Sequence, residues 1–340
     1  MTRQISYLSP TGILGVGFSE SHFRAALSRD LAFIGCDAGS TDGGPANLGG
    51  NKPFFSRAAI KRDLRILVTG AREIKVPLLI GSCGGSGGNW NLNWVREIVQ
   101  EIAREENLHF RMAIIEAEPP REVLVQKFRK GKIRALDPAP AMDESVLRDA
   151  DHIVAMMGAE AYIAALEGGA DVVLAGRSTD AAIFAAIPVA RGFPPGLCWH
   201  AAKIMECGGA AVVKMDKPEG MICTITDDHF TLEPVSPTQQ CSPLSVAAHA
   251  LYETADPYRM LEPGGEMDLT DARYEAINDR EVRVRGSKFL PMPYTVKLEG
   301  AKQIGYRAMV LGGVRDPVIL EQFGSWLSGL KEHIAENVEA

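Results

Sequence analysis

The stretch Val76-Pro77-Leu78-Leu79-Ile80 runs into Gly81-Ser82-Cys83-Gly84-Gly85-Ser86-Gly87-Gly88-Asn89. Trp94-Val95, Ile98-Val99 and Ile102-Ala103 then follow at helical spacing. An unbroken apolar run suits a parallel strand buried on both faces, and the spacing after it is that of an amphipathic helix. The same phrase recurs. Leu31-Ala32-Phe33-Ile34 leads into Gly35-Cys36-Asp37-Ala38-Gly39-Ser40-Thr41-Asp42, and Met112-Ala113-Ile114-Ile115 leads into Glu116-Ala117-Glu118-Pro119-Pro120. His152-Ile153-Val154-Ala155-Met156 precedes a helical pattern at Tyr162-Ile163 and Leu166, and Asp171-Val172-Val173-Leu174-Ala175 leads into Gly176-Arg177. A strand–helix alternation of this kind predicts an α/β fold with a doubly wound, mostly parallel sheet.

Beyond about residue 205 the apolar runs shorten and alternate, as at Ala210–Lys214, Met221–Thr226, Glu281–Arg285 and Tyr294–Leu298. These read as half-exposed antiparallel strands, with a helix near Leu244–Glu253 and a terminal helix over Glu321–Val338. The expected organisation is an α/β ligand-binding domain over 1–209, followed by a smaller α+β region over 210–340 that completes the site or forms an interface.

Composition narrows the function. The 340 residues carry 36 Lys+Arg against 43 Asp+Glu, a formal charge of −7, with 46% hydrophobic and 23% charged residues. This balance belongs to a folded chain with a substantial core. An acidic total argues against nucleic acid as the partner, because phosphate contacts need a basic face. No apolar run approaches the roughly 20 residues of a membrane span, and the first ten residues lack a secretory pattern. Cys36, Cys83, Cys198, Cys207, Cys223 and Cys241 are scattered, which suits reduced thiols and a cytoplasmic location.

In open α/β sheets, ligands sit beyond the carboxyl ends of the strands. Three loops there carry the candidate chemistry. Gly84, Gly85, Ser86, Gly87, Gly88 and Asn89, with Cys83 beside them, would expose backbone amides to an anion at a helix start; close packing alone would also explain the glycines. The loop matches neither a Walker sequence nor G-x-G-x-x-G. Asp37, Ser40, Thr41 and Asp42 suit contact with a small substrate, or ordinary Asx and Ser/Thr turns. In Gly176-Arg177-Ser178-Thr179-Asp180, Ser178 or Thr179 would cap a helix opening at Ala181, and Arg177 stands where a carboxylate-binding guanidinium belongs. Glu116 and Glu118, two apart at a strand end, would suit acid/base work, a divalent cation, or plain solvation. Glu206 and Cys207 lie near Trp199-His200, where a histidine is more often a structural contact. Lys297 and Glu299 share a strand face as an ion pair. No G-x-S-x-G elbow or H-E-x-x-H appears.

Gly81–Gly85, Glu160–Asp180 and Met205-Glu206-Cys207-Gly208-Gly209 together resemble the acyclic terpene utilisation A (AtuA) family. Glu262-Pro263-Gly264-Gly265 and Tyr294–Gly300 add to the likeness, which spans about residues 30 to 315. The resemblance implies catabolism of branched terpenoid acids as CoA thioesters, or of small carboxylic acids more generally. Family members often continue into a further C-terminal region; a small partner subunit is one source of such a segment here, and a longer natural chain is the other.

The resulting expectation is a hydratase or dehydratase acting on a small hydroxy acid or acyl-CoA. Asp37, Asp42, Glu116 and Asp180 are the acid/base candidates. Ser40, Thr41, Cys83 to Asn89, Arg177, Ser178 and Glu206 are the binding candidates. No cofactor site is recognisable, a divalent cation is compatible, and a homo-oligomer is expected. The alternative is a non-catalytic ligand-binding or scaffold subunit.

Overall fold

The computed structural model describes residues 3–307, 309 and 311–337. Fourteen strands are recognised among them: β1 (Gln4–Ser9), β2 (Ile34–Asp37), β3 (Leu78–Gly81), β4 (Met112–Ile115), β5 (His152–Ala155), β6 (Val172–Ala175), β7 (Met221–Thr226), β8 (Phe230–Pro234), β9 (Arg259–Glu262), β10 (Gly265–Asp268), β11 (Arg273–Ala276), β12 (Val282–Arg285), β13 (Lys288–Pro291) and β14 (Leu298–Ala301). Nine of these form one sheet in the order β11-β12-β8-β7-β1-β2-β3-β6-β4. From β1 to β4 every pairing is parallel; from β1 to β11 every pairing is antiparallel. The fold class is α/β, as the strand–helix alternation predicts. Strands from both sides of the 209/210 division share this sheet.

Alternation along the parallel strands explains why they read as continuous apolar runs. Leu78 and Ile80 of β3, with Val172 and Leu174 of β6, pack on one side among Leu64, Leu67, Val95 and Ile98. Those four come from the helices Arg57–Glu73 and Asn89–Glu105. Leu79, Val173 and Ala175 pack on the other side with Ile183, Phe184 and Ala201, from the helices Ala182–Ala190 and Pro195–Met205. With both faces covered, neither set of alternate positions can be polar. The helix Ala182–Ala190 is itself buried nearly all round.

Several local expectations shift. His152–Ala155 is a strand, but it pairs antiparallel with β14 in a separate two-stranded ladder. Its pattern, with only the two middle residues buried, is that of a small satellite core rather than the main sheet. Ala210–Lys214 forms no strand: a short 3₁₀ turn at Gly208–Ala211 precedes a single bridge from Val212 to Cys241. Tyr294–Lys297 is irregular, and the strand begins only at Leu298. The helix expected near 244–253 is Pro243–Ala250, held by a Ser242–Ser245 capping box. The terminal helix is Phe323–Asn337; Val338 lies outside the described residues.

The chain divides into two compact units, Met1–Gln303 and Ile304–Ala340. The smaller carries the helices Pro317–Glu321, capped by the Asp316 carboxylate, and Phe323–Asn337. Among the described residues no helix is long and apolar enough to cross a membrane.

Candidate active site

The loops leaving β2, β3 and β6 are stitched together at the carboxyl ends of the parallel strands. Ala38 N donates to Gly81 O at 3.0 Å, Ser82 N to Gly176 O at 3.1 Å, and Arg177 N to Gly87 O at 3.0 Å. Such close backbone approach requires missing side chains. A Cβ on Gly39 would stand 2.0 Å from Gly85 O, and one on Gly87 would stand 2.4 Å from Arg177 N. Gly84 and Gly85 are faced by Asn91 and Phe54 in the same way. The glycines of Gly84–Gly88 thus serve close packing, and Asn91 ties the loop down through Gly84 O at 3.1 Å and the Ser86 hydroxyl at 3.2 Å.

The helix start that follows already has an anion. Asn89 N donates to Glu118 Oε1 at 2.8 Å, and the other Glu118 oxygen is 3.1 Å from His152 Nδ1. A carboxylate at a helix N-terminus is favourable on dipole grounds, and here the chain supplies it from the loop after β4. Glu116 is solvent-exposed and stands apart from that contact. Cys83 is fully buried in the core, where burial pushes its thiol far above the usual range.

The chemistry gathers instead around Arg177, which is only 3% exposed. Its Nε donates to Glu299 Oε2 at 2.8 Å. Its Nη1 reaches Ser82 Oγ at 3.1 Å, Ser178 O at 3.1 Å and Asp180 Oδ1 at 3.0 Å. Four elements meet here: the ends of β3 and β6, the approach to the helix Ala182–Ala190, and β14. Ser82 adopts a left-handed φ of 46° to present its hydroxyl, a conformation costing a non-glycine residue roughly 1–2 kcal/mol. Ser178 Oγ meets the buried Tyr162 hydroxyl at 2.8 Å, and Thr179 Oγ1 accepts from Ala182 N at 3.2 Å, supplying the helix-start bond.

Asp37, at the end of β2, is within electrostatic reach of this group. Burial pushes its carboxyl well above the usual range and Asp180 adds to the rise, with Arg177 opposing. Asp37 Oδ2 accepts from Gly39 N at 3.2 Å, whereas Oδ1 is buried with no partner. Burial also raises Asp180, against the pull of Arg177. Glu206, closing the helix Pro195–Met205, rises to about 8 through burial, although Lys203 pairs with it. Glu262, at the end of β9, rises to about 7 through burial, with the Thr179 hydroxyl and Lys203 opposing. Glu299 goes the other way. Arg177 and Lys297, 2.8 Å from its second oxygen, hold it below the usual range despite its burial.

The structure therefore brings Asp37, Arg177, Ser178, Asp180 and Glu206 together. Asp42 lies at the exposed rim, close enough to raise Asp180; its amide is turned onto Ser40 Oγ at 3.2 Å, and Thr41 is half-buried beside it. Sequence reasoning missed Ser82, Lys203 and Glu262. Ser82 looks like any loop serine until its φ is known. Glu262 sits in a Glu-Pro-Gly-Gly turn that reads as exposed, and Lys203 one helical turn before Glu206 was the available signal. His200 is a core contact, between Ser287 Oγ at 2.7 Å and Tyr274 OH at 3.2 Å, and burial draws its pKa down to about 3.

Among the described residues no group of three or more His, Cys, Asp or Glu side chains is arranged to hold a metal ion.

The chain matches the family described as acyclic terpene utilisation family protein AtuA over residues 85–339. It belongs to that family. Membership ties the AtuA-family chain to acyclic terpene utilisation, and the match covers Arg177, Asp180, Glu206, Glu262 and Glu299. No curated protein and no solved structure matches it.

Proposed function

We propose that this AtuA-family chain is a hydro-lyase of carboxylic-acid or acyl-thioester catabolism, adding or removing water next to a carboxyl or thioester carbonyl. One observation carries the reading: a buried guanidinium fixed by four acceptors, with Asp37, Asp180 and Glu299 around it. Burial raises the carboxyls of Glu206 and Glu262, which stand near Asp180. Its Nε and Nη1 face protein acceptors, so Nη2 is the donor group that would receive a substrate carboxylate or carbonyl oxygen. Charge developing on that oxygen as the neighbouring carbon loses its proton is then stabilised by a pre-oriented cation.

The carboxyl groups divide the proton work. Glu262, ionising near 7, accepts the proton from the carbon beside the carbonyl. The electron pair of that C–H bond forms the double bond as the C–O bond to the hydroxyl breaks. Glu206, still protonated at neutral pH, gives its proton to the leaving oxygen, which departs as water. Asp37 Oδ1 is the buried group left to hold the substrate hydroxyl. Addition of water is the reverse.

The test follows solvent deuterium into small 2- and 3-hydroxy acids and their thioesters by NMR. Deuterium should appear at the carbon next to the carbonyl with the wild-type chain and drop at least about a hundredfold in Glu262→Gln. No incorporation with any member of the panel rejects the reading.

A binding or scaffold role is the second reading. On the helix Phe323–Asn337, Phe323, Trp326, Leu330 and Ile334 recur at helical spacing, and no residue of that helix is buried. An apolar face of this kind suits a small partner subunit or a second copy. Light scattering of the purified chain, with sedimentation at rising concentration, separates a homo-oligomer from a chain that needs another protein.

A further inference from the structure

β14 has one neighbour, β5, in a ladder of two strands. A two-stranded ribbon is marginal until a third strand or other packing joins it. Met156 N donates to Lys297 O at 2.9 Å and Asp151 N to Ala301 O at 2.8 Å, so the odd-numbered residues of β14 face β5. The amides and carbonyls of Leu298 and Gly300 therefore point to the opposite edge. Among the described residues none of these groups has a hydrogen-bond partner there. The outer strand of the main sheet, β11, is guarded by Arg273 and Glu275, whereas the open positions of β14 carry neither charge nor proline.

Leu298 and Gly300 both line a cleft of about 930 Å³, together with Ile133, Met142, Leu147 and Ile153. A strand added to this edge would send alternate side chains onto that apolar wall. The rim is cationic: Lys132, Arg134, Lys297 and Lys302 line the cleft against Asp149 and Glu262, in a chain whose total is −7. Asp149 holds Lys302 at 3.0 Å and Glu299 holds Lys297 at 2.8 Å. Lys132 and Arg134 are exposed and, among the described residues, have no ion-pair partner. A small apolar molecule could fill such a cleft but would leave the open edge of β14 unpaired. A ligand with its own row of amides, apolar residues on one face and carboxylates beside them satisfies all of these features.

We propose that β14 receives an extended acidic segment of another protein as a third strand, its alternate apolar side chains entering the cleft and its carboxylates reaching Lys132 and Arg134. The assignment is independent of the hydro-lyase reading. Four residues of β14 at about 3.3 Å each span roughly 13 Å, which suits a segment of about four to six residues. Gly300 offers a clean way to block the edge. Its amide is not turned to β5, and a Cβ there meets nothing nearer than Ile153 Cγ1 at 3.6 Å. Gly300→Pro thus removes one donor from the open edge and leaves the existing ladder in place.

Fluorescence anisotropy of a labelled Glu-Val-Glu-Val-Glu-Val peptide with the full chain tests the proposal. Binding should saturate, weaken with salt, and exceed that of Lys-Val-Lys-Val-Lys-Val by at least about tenfold. Gly300→Pro should weaken it about tenfold. Lys132→Glu/Arg134→Glu, at two exposed positions, should weaken it at least as much and remove the salt dependence, an independent variant if the proline does not fold. Methylating the valine amides and methylating the glutamate amides should have different effects, because only one set faces β14; equal effects overturn strand addition. No saturable binding, or binding indifferent to peptide charge and to both variants, overturns the proposal. A wild-type chain that self-associates in light scattering, becomes monomeric in Gly300→Pro and binds no peptide gives the edge to a second copy, and overturns it as well.

Discussion

The loop after β3 and the loop after β6 lie against each other, yet they do different work. Five of the nine residues in Gly81–Asn89 are glycine. They let backbones pass within contact distance, and the helix start behind them is satisfied by Glu118. Gly176–Asp180 has a single glycine, and its Arg177 draws Ser82, Asp180 and Glu299 into one buried group. Glycine density marks where chain segments must approach one another. A cation kept 3% exposed among carboxylates marks where chemistry can happen.

Arg177→Met should make the largest difference. It leaves Asp180 buried without its guanidinium partner and Glu299 with Lys297 alone, and a loss of about 3–5 kcal/mol in urea denaturation is expected. A loss below about 1 kcal/mol would erase the distinction between the two loops. Gly39→Ala tests the packing side: its Cβ would collide with Gly85 O at a φ of +154°, and overpacking should lower stability by about 1–3 kcal/mol. An unchanged melting temperature would mean the two loops can separate freely.

Glu206 gives a pH signature. Its carboxyl moves from 4.5 to about 8 on folding, so the folded state binds more protons between those values. The stability this group contributes is complete below 4.5 and is lost as pH rises through 8. Denaturation midpoints should therefore fall across that window in the wild type and fall less in Glu206→Gln, which stays neutral. Parallel curves for the two would show that Glu206 is not the titrating group. The smallest effect belongs to Glu118→Gln, which removes the charge at the helix start; about 0.5–1 kcal/mol is expected, largest at low salt.

Much of this was legible in the chain. The parallel strands announced themselves because both faces are covered, leaving no polar alternation to confuse the reading. Arg177, Asp180, Asp37 and Glu206 could be singled out because they follow strand ends or flank glycines. Register and long-range pairing could not be read: β5 resembles its neighbours in sequence, but its partner β14 lies far along the chain. Glu262 and Glu299 join the site only through that tertiary arrangement. Local periodicity carries no signal for a carboxylate delivered from an antiparallel strand more than a hundred residues away from Arg177. Val212 failed as a strand residue because one bridge to Cys241 is all the pairing its surroundings offer.

The first strand has neighbours of opposite sense: β2 alongside it in parallel and β7 against it in antiparallel orientation. Together with β2 and β3 it precedes residue 85, where the family match begins. A fragment trimmed to the matched stretch would lose the middle of the sheet and lay bare the flanks of β7 and β6. Each would offer a row of unsatisfied amides and carbonyls to any passing chain, so such a fragment should come out of the cell as aggregate rather than as a smaller folded protein.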